Sequence, residues 1–412
     1  MSHGRLRFIH SSDWHLESPL AGLYEVPERL KQALTDAPLL AAEKVVTAAL
    51  AEKVHFVVLA GDILDVELTA PRGVAFLVKQ FARLAERNIP IYWAGGRVDR
   101  PERWPPALRL PGNVFRFSSR RPEDFILEED GEPLARITGM SRPRGGRIRA
   151  ADFWPDADGL PTIAVAHGKA DRSALAGRGV TYWALGGKHH RTTLLDSPHA
   201  AQYSGAPQSR SPDEAGSYGC TLVEIDEGKA QTRAIATDVA RWHTRRIAVG
   251  DATTAEALES GLIEQLNELR RATPDLHLLV SCTVHGHGPL IAALRRGQRA
   301  SEIVSRLRRR FEAEEPAIWI RSIEVEPESA VPPAWLEQDS LLGEYLRSLA
   351  DFDGQSEAPP ADLVGPLNEL IGRDAASAGL ERLLRLSDEG RRKVLQKAAA
   401  LGADLLGEET RP

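Results

Sequence analysis

Four short motifs carry residue types that bind divalent metal ions. Each motif follows a stretch with the composition of a buried β-strand. Because α/β folds place their chemistry beyond the carboxyl ends of strands, we expect the motifs to converge at one edge of a sheet. They are Asp13-Trp14-His15, Gly61-Asp62, His167-Gly168 and Gly186-Gly187-Lys188-His189-His190.

The spacing of Asp13 and His15 suits a shared ion. Residues two positions apart on an extended chain point to the same face, so one carboxylate and one imidazole can meet there. Oxygen and nitrogen ligands of this kind suit Mn, Fe or Zn better than Ca. Asp62 follows an apolar strand, where a buried carboxylate needs a neighbouring cation. An N-capping role is the alternative interpretation of Asp62.

The elements that must position these residues begin in βαβαβ order. The pattern predicts strands over 6–10, 55–60 and 89–93, with helices over 28–52 and 75–87. Such an order implies parallel strands with right-handed crossovers. Shorter strands, predicted over 134–140, 162–166, 182–185 and 219–225, indicate a second sheet packed on the first.

Length and composition limit the remaining organisation. A chain of 412 residues implies two or three domains. We place a first domain at 1–245, an α+β domain at 246–330, a linker at 331–362 and a helical segment at 363–412. No apolar run approaches the ~20 residues that span a bilayer, which excludes a membrane role. The two cysteines, Cys220 and Cys282, are too few for a disulfide framework and favour the cytoplasm.

The net charge of −6 argues against a protein that coats nucleic acid nonspecifically. More specific information lies in the order of the motifs. The chain resembles the calcineurin-type metallophosphoesterases and, within them, the SbcD-type DNA double-strand-break repair nucleases. The segments that carry this resemblance are Ile9-His-Ser-Ser-Asp-Trp-His15, Leu59-Ala-Gly-Asp62, Ile89-Pro-Ile-Tyr-Trp-Ala-Gly-Gly96, Val165-Ala-His-Gly168, Tyr182-Trp-Ala-Leu-Gly186 and Tyr203-Ser-Gly-Ala-Pro-Gln208.

The resemblance implies a fold and partners. It implies a two-sheet α/β/β/α metallophosphoesterase sandwich, a small α+β cap facing DNA, and C-terminal helices at 363–412 that dock an SbcC-like coiled-coil ATPase. The likeness covers roughly the first 240 residues well and the remainder in outline. DNA as ligand and a homodimeric assembly are also implied.

The family's metal ligands transfer only in part. Its first metal would be held by Asp13, His15, Asp62 and His189, and its second by Asp62, His167 and two further residues. Those two residues belong to family motifs that here read Gly96-Arg97-Val98-Asp99 and Gly186-Gly187-Lys188-His189. Arg97 and Gly187 therefore replace ligands. Val98 replaces the histidine that assists the departing oxygen, so no catalytic residue remains at the general-acid position.

These replacements point to a manganese centre with one ion, with two ions as the alternative. Arg97 and Lys188 carry positive charge that can stand in for the missing cation. The guanidinium of Arg97 can in addition bind a phosphate bidentately. Arg97 either shields the second position or points to solvent. Three functions follow: a DNA-end-binding subunit with an impaired nuclease centre, an active manganese-dependent exo- or endonuclease, and a small-molecule phosphoesterase. Whether the chain is an enzyme stays open at this stage.

Overall fold

The computed structural model describes residues 5–23, 25–69, 71–286, 288–326 and 333–353, together with 390, 394–399, 402 and 406. The chain divides into two compact units. The first comprises 1–243, 267–280 and 311–319, and the second comprises 244–266, 281–310 and 320–412. None of the helices in the described part of the chain combines the length and hydropathy that crossing a bilayer would require.

The strands and helices are numbered in chain order. The strands are β1 (Leu6–Ser11), β2 (Phe56–Leu59), β3 (Ile91–Ala94), β4 (Val114–Phe117), β5 (Glu123–Glu129), β6 (Glu132–Met140), β7 (Thr162–His167), β8 (Tyr182–Gly186), β9 (Thr192–Leu195), β10 (Ala200–Tyr203), β11 (Gly219–Asp226), β12 (Lys229–Ala236), β13 (Ala240–Val249), β14 (His277–Gly286) and β15 (Ile318–Val325). The helices are α1 (Glu28–Ala51), α2 (Pro71–Ala85), α3 (Arg172–Leu175), α4 (Ala255–Ala272), α5 (Pro289–Arg295), α6 (Gln298–Arg310), α7 (Pro333–Leu336) and α8 (Leu341–Asp353).

The first unit is built on two six-stranded sheets, with orders β12-β11-β1-β2-β3-β4 and β5-β6-β7-β8-β10-β9. Side chains alternate between the two faces of a strand, as Phe8 and Ile9 show. Phe8 packs between the two sheets with residues such as Val165, while Ile9 packs on the other face with α1 and α2 residues such as Val45 and Phe81. The α/β fold with a two-sheet sandwich is confirmed.

The outer face of the second sheet has a thinner cover. Trp183 and Leu185 pack there against Phe153 and Leu175, the latter in the four-residue helix α3. Loops therefore supply most of the fourth layer of the predicted α/β/β/α arrangement.

Parallel pairing explains why the candidate residues meet. Strands β1 and β2 run parallel in one sheet, and β7 and β8 run parallel in the other. Asp13 and Asp62 follow the ends of β1 and β2, His167 ends β7, and His189 follows β8. All four thus lie beyond carboxyl ends of strands, where α/β folds place ligands.

The last part of the chain differs from expectation. A third sheet has the order β13-β14-β15, and β13 runs across the boundary predicted near 245. The segment 331–362, predicted as a linker, contains α7 and α8, which pack through residues such as Trp335 and Leu346. The linker prediction rests on the prolines and acidic residues of this segment. The apolar residues of α7 and α8 have helical spacing, which explains the difference. The predicted docking segment 363–412 lies outside the described residues, apart from 390, 394–399, 402 and 406.

Candidate metal centre

The five predicted ligands come together in the first unit. Asp13, His15 and His189 each offer one ligand atom, and these atoms lie within 4.8 Å of one another. Asp13, Asp62 and His167 form a second group of the same kind. Asp62 Oδ2 lies 3.4 Å from His167 Nε2 and 3.7 Å from His15 Nε2. All except His189 are buried.

Three of these residues have an uncommon backbone conformation. Asp13, His15 and Asp62 have φ angles of 56°, 44° and 55°, in the left-handed region that residues other than glycine seldom occupy. Hydrogen bonds between the two loops hold this conformation: Asp13 N donates to Gly61 O at 2.8 Å, and His15 N donates to Asp62 O at 3.1 Å. Strained backbone tends to persist where surrounding contacts enforce it for function.

Each candidate histidine is oriented through Nδ1. His15 Nδ1 lies 3.0 Å from Glu17 Oε1, and His189 Nδ1 lies 2.6 Å from Glu214 Oε1. His167 Nδ1 lies 2.8 Å from Ala60 O, which can only accept, so His167 Nδ1 is the donor. A partner on Nδ1 leaves Nε2 as the ligating nitrogen, an arrangement typical of metal-binding histidines.

Three carboxyl groups of the site, those of Glu17, Glu214 and Asp62, have a pKa below the usual value. Burial alone would raise the pKa of Glu17, but hydrogen bonds from His15 and the Asp65 amide outweigh it and lower the pKa below its usual value. The same balance, with His189 and the Arg210 amide as donors, lowers the pKa of Glu214. For Asp62, burial again raises the pKa, but the neighbouring His167 and His15 and the amides of the Arg97 loop together outweigh it and lower the pKa.

Two buried polar atoms indicate that the site fits a cation. Asp13 Oδ2 accepts from Ser12 Oγ at 2.6 Å and from Gly187 N at 3.0 Å. Asp13 Oδ1 and His15 Nε2, in contrast, have no hydrogen-bond partner among the described residues. Leaving such atoms unsatisfied costs about 1–3 kcal/mol each. A divalent ion would satisfy both atoms, and this donor set suits Mn, Fe or Zn.

The second metal position has fewer side chains. Asp62 Oδ1 accepts hydrogen bonds from the backbone amides of Arg97 and Val98, so this loop contributes backbone at positions where the resemblance predicts side-chain ligands. Gly187 likewise contributes its amide, to Asp13. Among the described residues, only Asp62, His167 and the shared Asp13 form a candidate ligand group there.

A cavity of about 640 Å³ opens over these residues, and four arginines line it, namely Arg97, Arg103, Arg142 and Arg210. The Arg97 side chain is exposed at the cavity. Lys188 lies elsewhere, with Nζ 4.9 Å from the centre of the Tyr203 ring, and it is not among the residues lining the cavity. The prediction that Arg97 shields the second position stays a prediction.

Sequence reasoning missed three residues of the site. Glu17 orients His15, Arg210 contacts His189, and Asp99 accepts from the amides of Asp62 and Ile63. Glu17 lies two positions after His15, a spacing that could have indicated its role. Arg210 stands in a loop between β10 and β11, and nothing in the sequence relates it to His189.

Comparison with known proteins agrees with this geometry. Residues 6–197 match the family model of calcineurin-like phosphoesterases, and residues 242–327 match that of the middle domain of metallophosphoesterase YhaO. An uncharacterized metallophosphoesterase YhaO from Bacillus subtilis (strain 168) is 30% identical over 281 residues, which are 65% of this chain and 69% of the relative. These descriptions do not name an SbcD-type nuclease, so that finer resemblance stays a prediction. Metallophosphoesterases of this fold use divalent metals, and the chain belongs to the calcineurin-like metallophosphoesterase family.

Proposed function

We propose that this metallophosphoesterase binds DNA ends as an SbcD-type subunit, with its phosphodiesterase centre reduced to one manganese ion. Asp13, His15, Asp62 and His189 would hold that ion. The observation that carries the proposal is a pair of buried atoms, Asp13 Oδ1 and His15 Nε2, that accept or donate no hydrogen bond within the described residues and lie at a cavity lined by four arginines. Asp13 and His15 suit a divalent cation, and the arginines suit a phosphate.

The residues at the cavity explain phosphate binding better than they explain rapid phosphodiester hydrolysis. When bound, the ion supplies Lewis-acid polarisation of a phosphoryl oxygen. The guanidinium groups of Arg97, Arg142 and Arg210 supply positive charge and can bind phosphate oxygens bidentately. Val98 cannot donate a proton to the departing oxygen, because its side chain is a hydrocarbon. We therefore expect phosphate binding with weakened hydrolysis.

An active manganese-dependent nuclease is the second candidate. It is favoured by His167, whose Nε2 lies 3.4 Å from Asp62 Oδ2 and whose Nδ1 is anchored on Ala60 O. This pair can contribute two ligands to a second ion. An ion held by Asp62 and His167 would supply Lewis-acid activation for phosphodiester hydrolysis.

One set of assays separates the candidates. The purified full chain would be incubated with Mn²⁺ and with linear DNA, plasmid DNA or bis(p-nitrophenyl) phosphate, alongside Asp62→Ala. Our proposal expects DNA binding that weakens with salt and little cleavage by either protein. Manganese-dependent cleavage by the wild type that Asp62→Ala abolishes would establish the active nuclease instead. Hydrolysis of bis(p-nitrophenyl) phosphate without DNA binding would indicate a small-molecule phosphoesterase.

The partners and location are proposed on the family resemblance alone. An SbcC-like coiled-coil ATPase, a homodimer and a cytoplasmic location belong to this part of the proposal. Light scattering on the purified chain would test the homodimer. Co-purification with a coiled-coil ATPase, in full-length chain but not in a chain ending before 363, would test the docking segment. A negative result in either test would not bear on the proposed metal centre.

A further inference from the structure

Arg210 makes an unusual contact with a candidate metal ligand. Its Nη2 lies 2.6 Å from Nε2 and 2.8 Å from Nδ1 of His189. A metal ion would lie about 2.1 Å from the same Nε2. A guanidinium and a divalent ion have the same sign of charge, so both cannot occupy these positions together. Metal binding through His189 therefore requires the Arg210 guanidinium to move.

The guanidinium of Arg210 has unused hydrogen-bonding capacity. Its Nε is buried and has no hydrogen-bond partner among the described residues. The Glu214 carboxylate is already engaged, because Oε1 contacts His189 Nδ1 and Oε2 accepts from the Arg210 backbone amide at 2.7 Å. Within the described residues, no carboxylate forms an ion pair with the guanidinium, which leaves it suited to an anionic ligand.

The movement involves the side chain alone. The backbone of Arg210 is fixed on both sides, since its amide donates to Glu214 and its carbonyl accepts from Ala21 N at 2.8 Å. The side chain itself lines the cavity of about 640 Å³, where it has room to take another rotamer. No loop needs to rearrange for the guanidinium to leave His189.

We propose that Arg210 competes with the metal ion for His189 and, once displaced, binds the substrate phosphate. This inference rests on the proposed single-metal function and gives the site an order of events. Metal binding would release the guanidinium, and the released guanidinium would raise the affinity for phosphate. Linkage makes the effect reciprocal, so phosphate would also raise the affinity for metal.

The test measures metal affinity, which moves in opposite directions for a competitor and for a merely structural residue. Mn²⁺ would be titrated calorimetrically into the full chain, Arg210→Ala, Arg210→Lys and the control Arg103→Ala. Arg103 lines the same cavity, and Arg103→Ala removes the same charge, but among the described residues it is Arg210 that contacts His189. We expect Arg210→Ala to bind Mn²⁺ about tenfold more tightly than the wild type, and clearly more tightly than Arg103→Ala.

The second measurement is the affinity for inorganic phosphate at saturating Mn²⁺. We expect it to fall about tenfold in Arg210→Ala and to recover partly in Arg210→Lys, which restores the charge without the planar fork. Equal or weaker Mn²⁺ binding by Arg210→Ala would overturn the competition, and unchanged phosphate affinity would overturn the phosphate role. A wild type that binds no Mn²⁺ would refute the proposed function itself, which is a different outcome. Thermal unfolding would confirm that each variant is folded.

Discussion

Asp99 Oδ1 accepts a hydrogen bond from the backbone amide of Asp62 at 3.0 Å. The same carboxylate accepts from Ile63 N at 3.1 Å, from Trp93 Nε1 at 2.8 Å and from Gly96 N. Four donors therefore converge on one buried side chain. Asp99 thus fixes the turn in which Asp62 adopts its left-handed backbone.

The attachment is reciprocal, because Asp62 Oδ1 accepts from the amides of Arg97 and Val98. The loop of Arg97 and Val98, in which the resemblance predicts two replaced side chains, therefore holds Asp62 through its backbone. Backbone hydrogen bonds keep the shape of this loop whichever side chains stand at positions 97 and 98. Burial, followed by the nearby Asp62, raises the pKa of Asp99, whereas the amides of Ile63 and Gly96 lower it in part.

Substitution of Asp99 is expected to be costly. In Asp99→Asn, the side-chain NH₂ group would replace one carboxylate oxygen. It cannot accept the hydrogen bonds that this oxygen accepts from backbone or indole N–H groups, and each lost hydrogen bond costs about 1–3 kcal/mol. We expect the free energy of unfolding to fall by about 3 kcal/mol in urea titrations. The control Asp124→Asn removes a surface carboxylate paired with Arg136 and should cost at most about 1 kcal/mol. Equal midpoints for the two variants would show that Asp99 is not a structural anchor.

The neighbouring histidines at the end of β8 allow a matched test of the first metal position. His189 faces Asp13 and His15, whereas His190 contacts the Tyr218 hydroxyl at 2.9 Å. We expect the wild type to bind one Mn²⁺ per chain by elemental analysis. His189→Ala should weaken Mn²⁺ binding by at least about tenfold, and His190→Ala should not change it. Two ions per wild-type chain would refute the single-metal centre.

Much of the fold and the site follows from local patterns in the sequence. Apolar strands such as β2 and β7 are followed at once by Asp62 and His167, and parallel pairing brings such strand ends together. The sequence does not predict strands β4, β9 and β12, because some of their residues are exposed and they lack a continuous apolar run. β9 and β12 are instead recognisable only as hairpin partners of β10 and β11, and β4 only as the edge partner of β3.

The remaining features of the site depend on contacts that local sequence does not encode. Lys188 was expected beside the second metal position, yet its ammonium group lies over the Tyr203 ring. Lys188 and His189 lie in a bend after β8 ends at Gly186, so the direction of the Lys188 side chain could not be read from strand alternation. Arg210 and His189 are 21 positions apart, and strands β9 and β10 lie between them in the chain.

Glu17 is expected to stabilise the fold in a pH-dependent manner. Burial raises its pKa, but hydrogen bonds from His15 and the Asp65 amide lower it further, to below the usual value. A depressed carboxyl pKa stabilises the native state above the unfolded pKa of about 4.3, and this contribution disappears as the pH falls through the lower folded-state pKa. The stability difference between wild type and Glu17→Gln should therefore be largest near neutral pH and shrink below about pH 4.

Urea titrations at pH 7, 5, 4 and 3 would measure this difference. Glu67→Gln, an exposed change in the loop after β2, controls for the loss of one carboxylate. A stability difference between wild type and Glu17→Gln that is constant across the series would show that the His15–Glu17 contact does not depend on ionised Glu17. At neutral pH, Glu17→Gln should also weaken Mn²⁺ binding by about 10–100-fold, because it loosens the orientation of His15.

Restoration of the second metal position should fail at Gly187. Sequence alone suggests that Arg97→Asn, Val98→His and Gly187→His together would rebuild the family's ligands. However, Gly187 has a φ of +105°, and a Cβ there would lie 3.2 Å from His167 Nε2. A side chain at such a φ costs about 1–3 kcal/mol.

We therefore expect the triple variant to unfold about 2 kcal/mol more easily than Arg97→Asn with Val98→His, and to bind no second Mn²⁺. Gly112→Ala, where an added Cβ meets nothing within 4 Å, is the control and should change stability little. Unfolding midpoints and elemental analysis would be measured on the same preparations. If the triple variant bound two ions with the stability of the double variant, the backbone at 187 could not be the obstacle. The centre would then be limited only by the identities of its missing side chains.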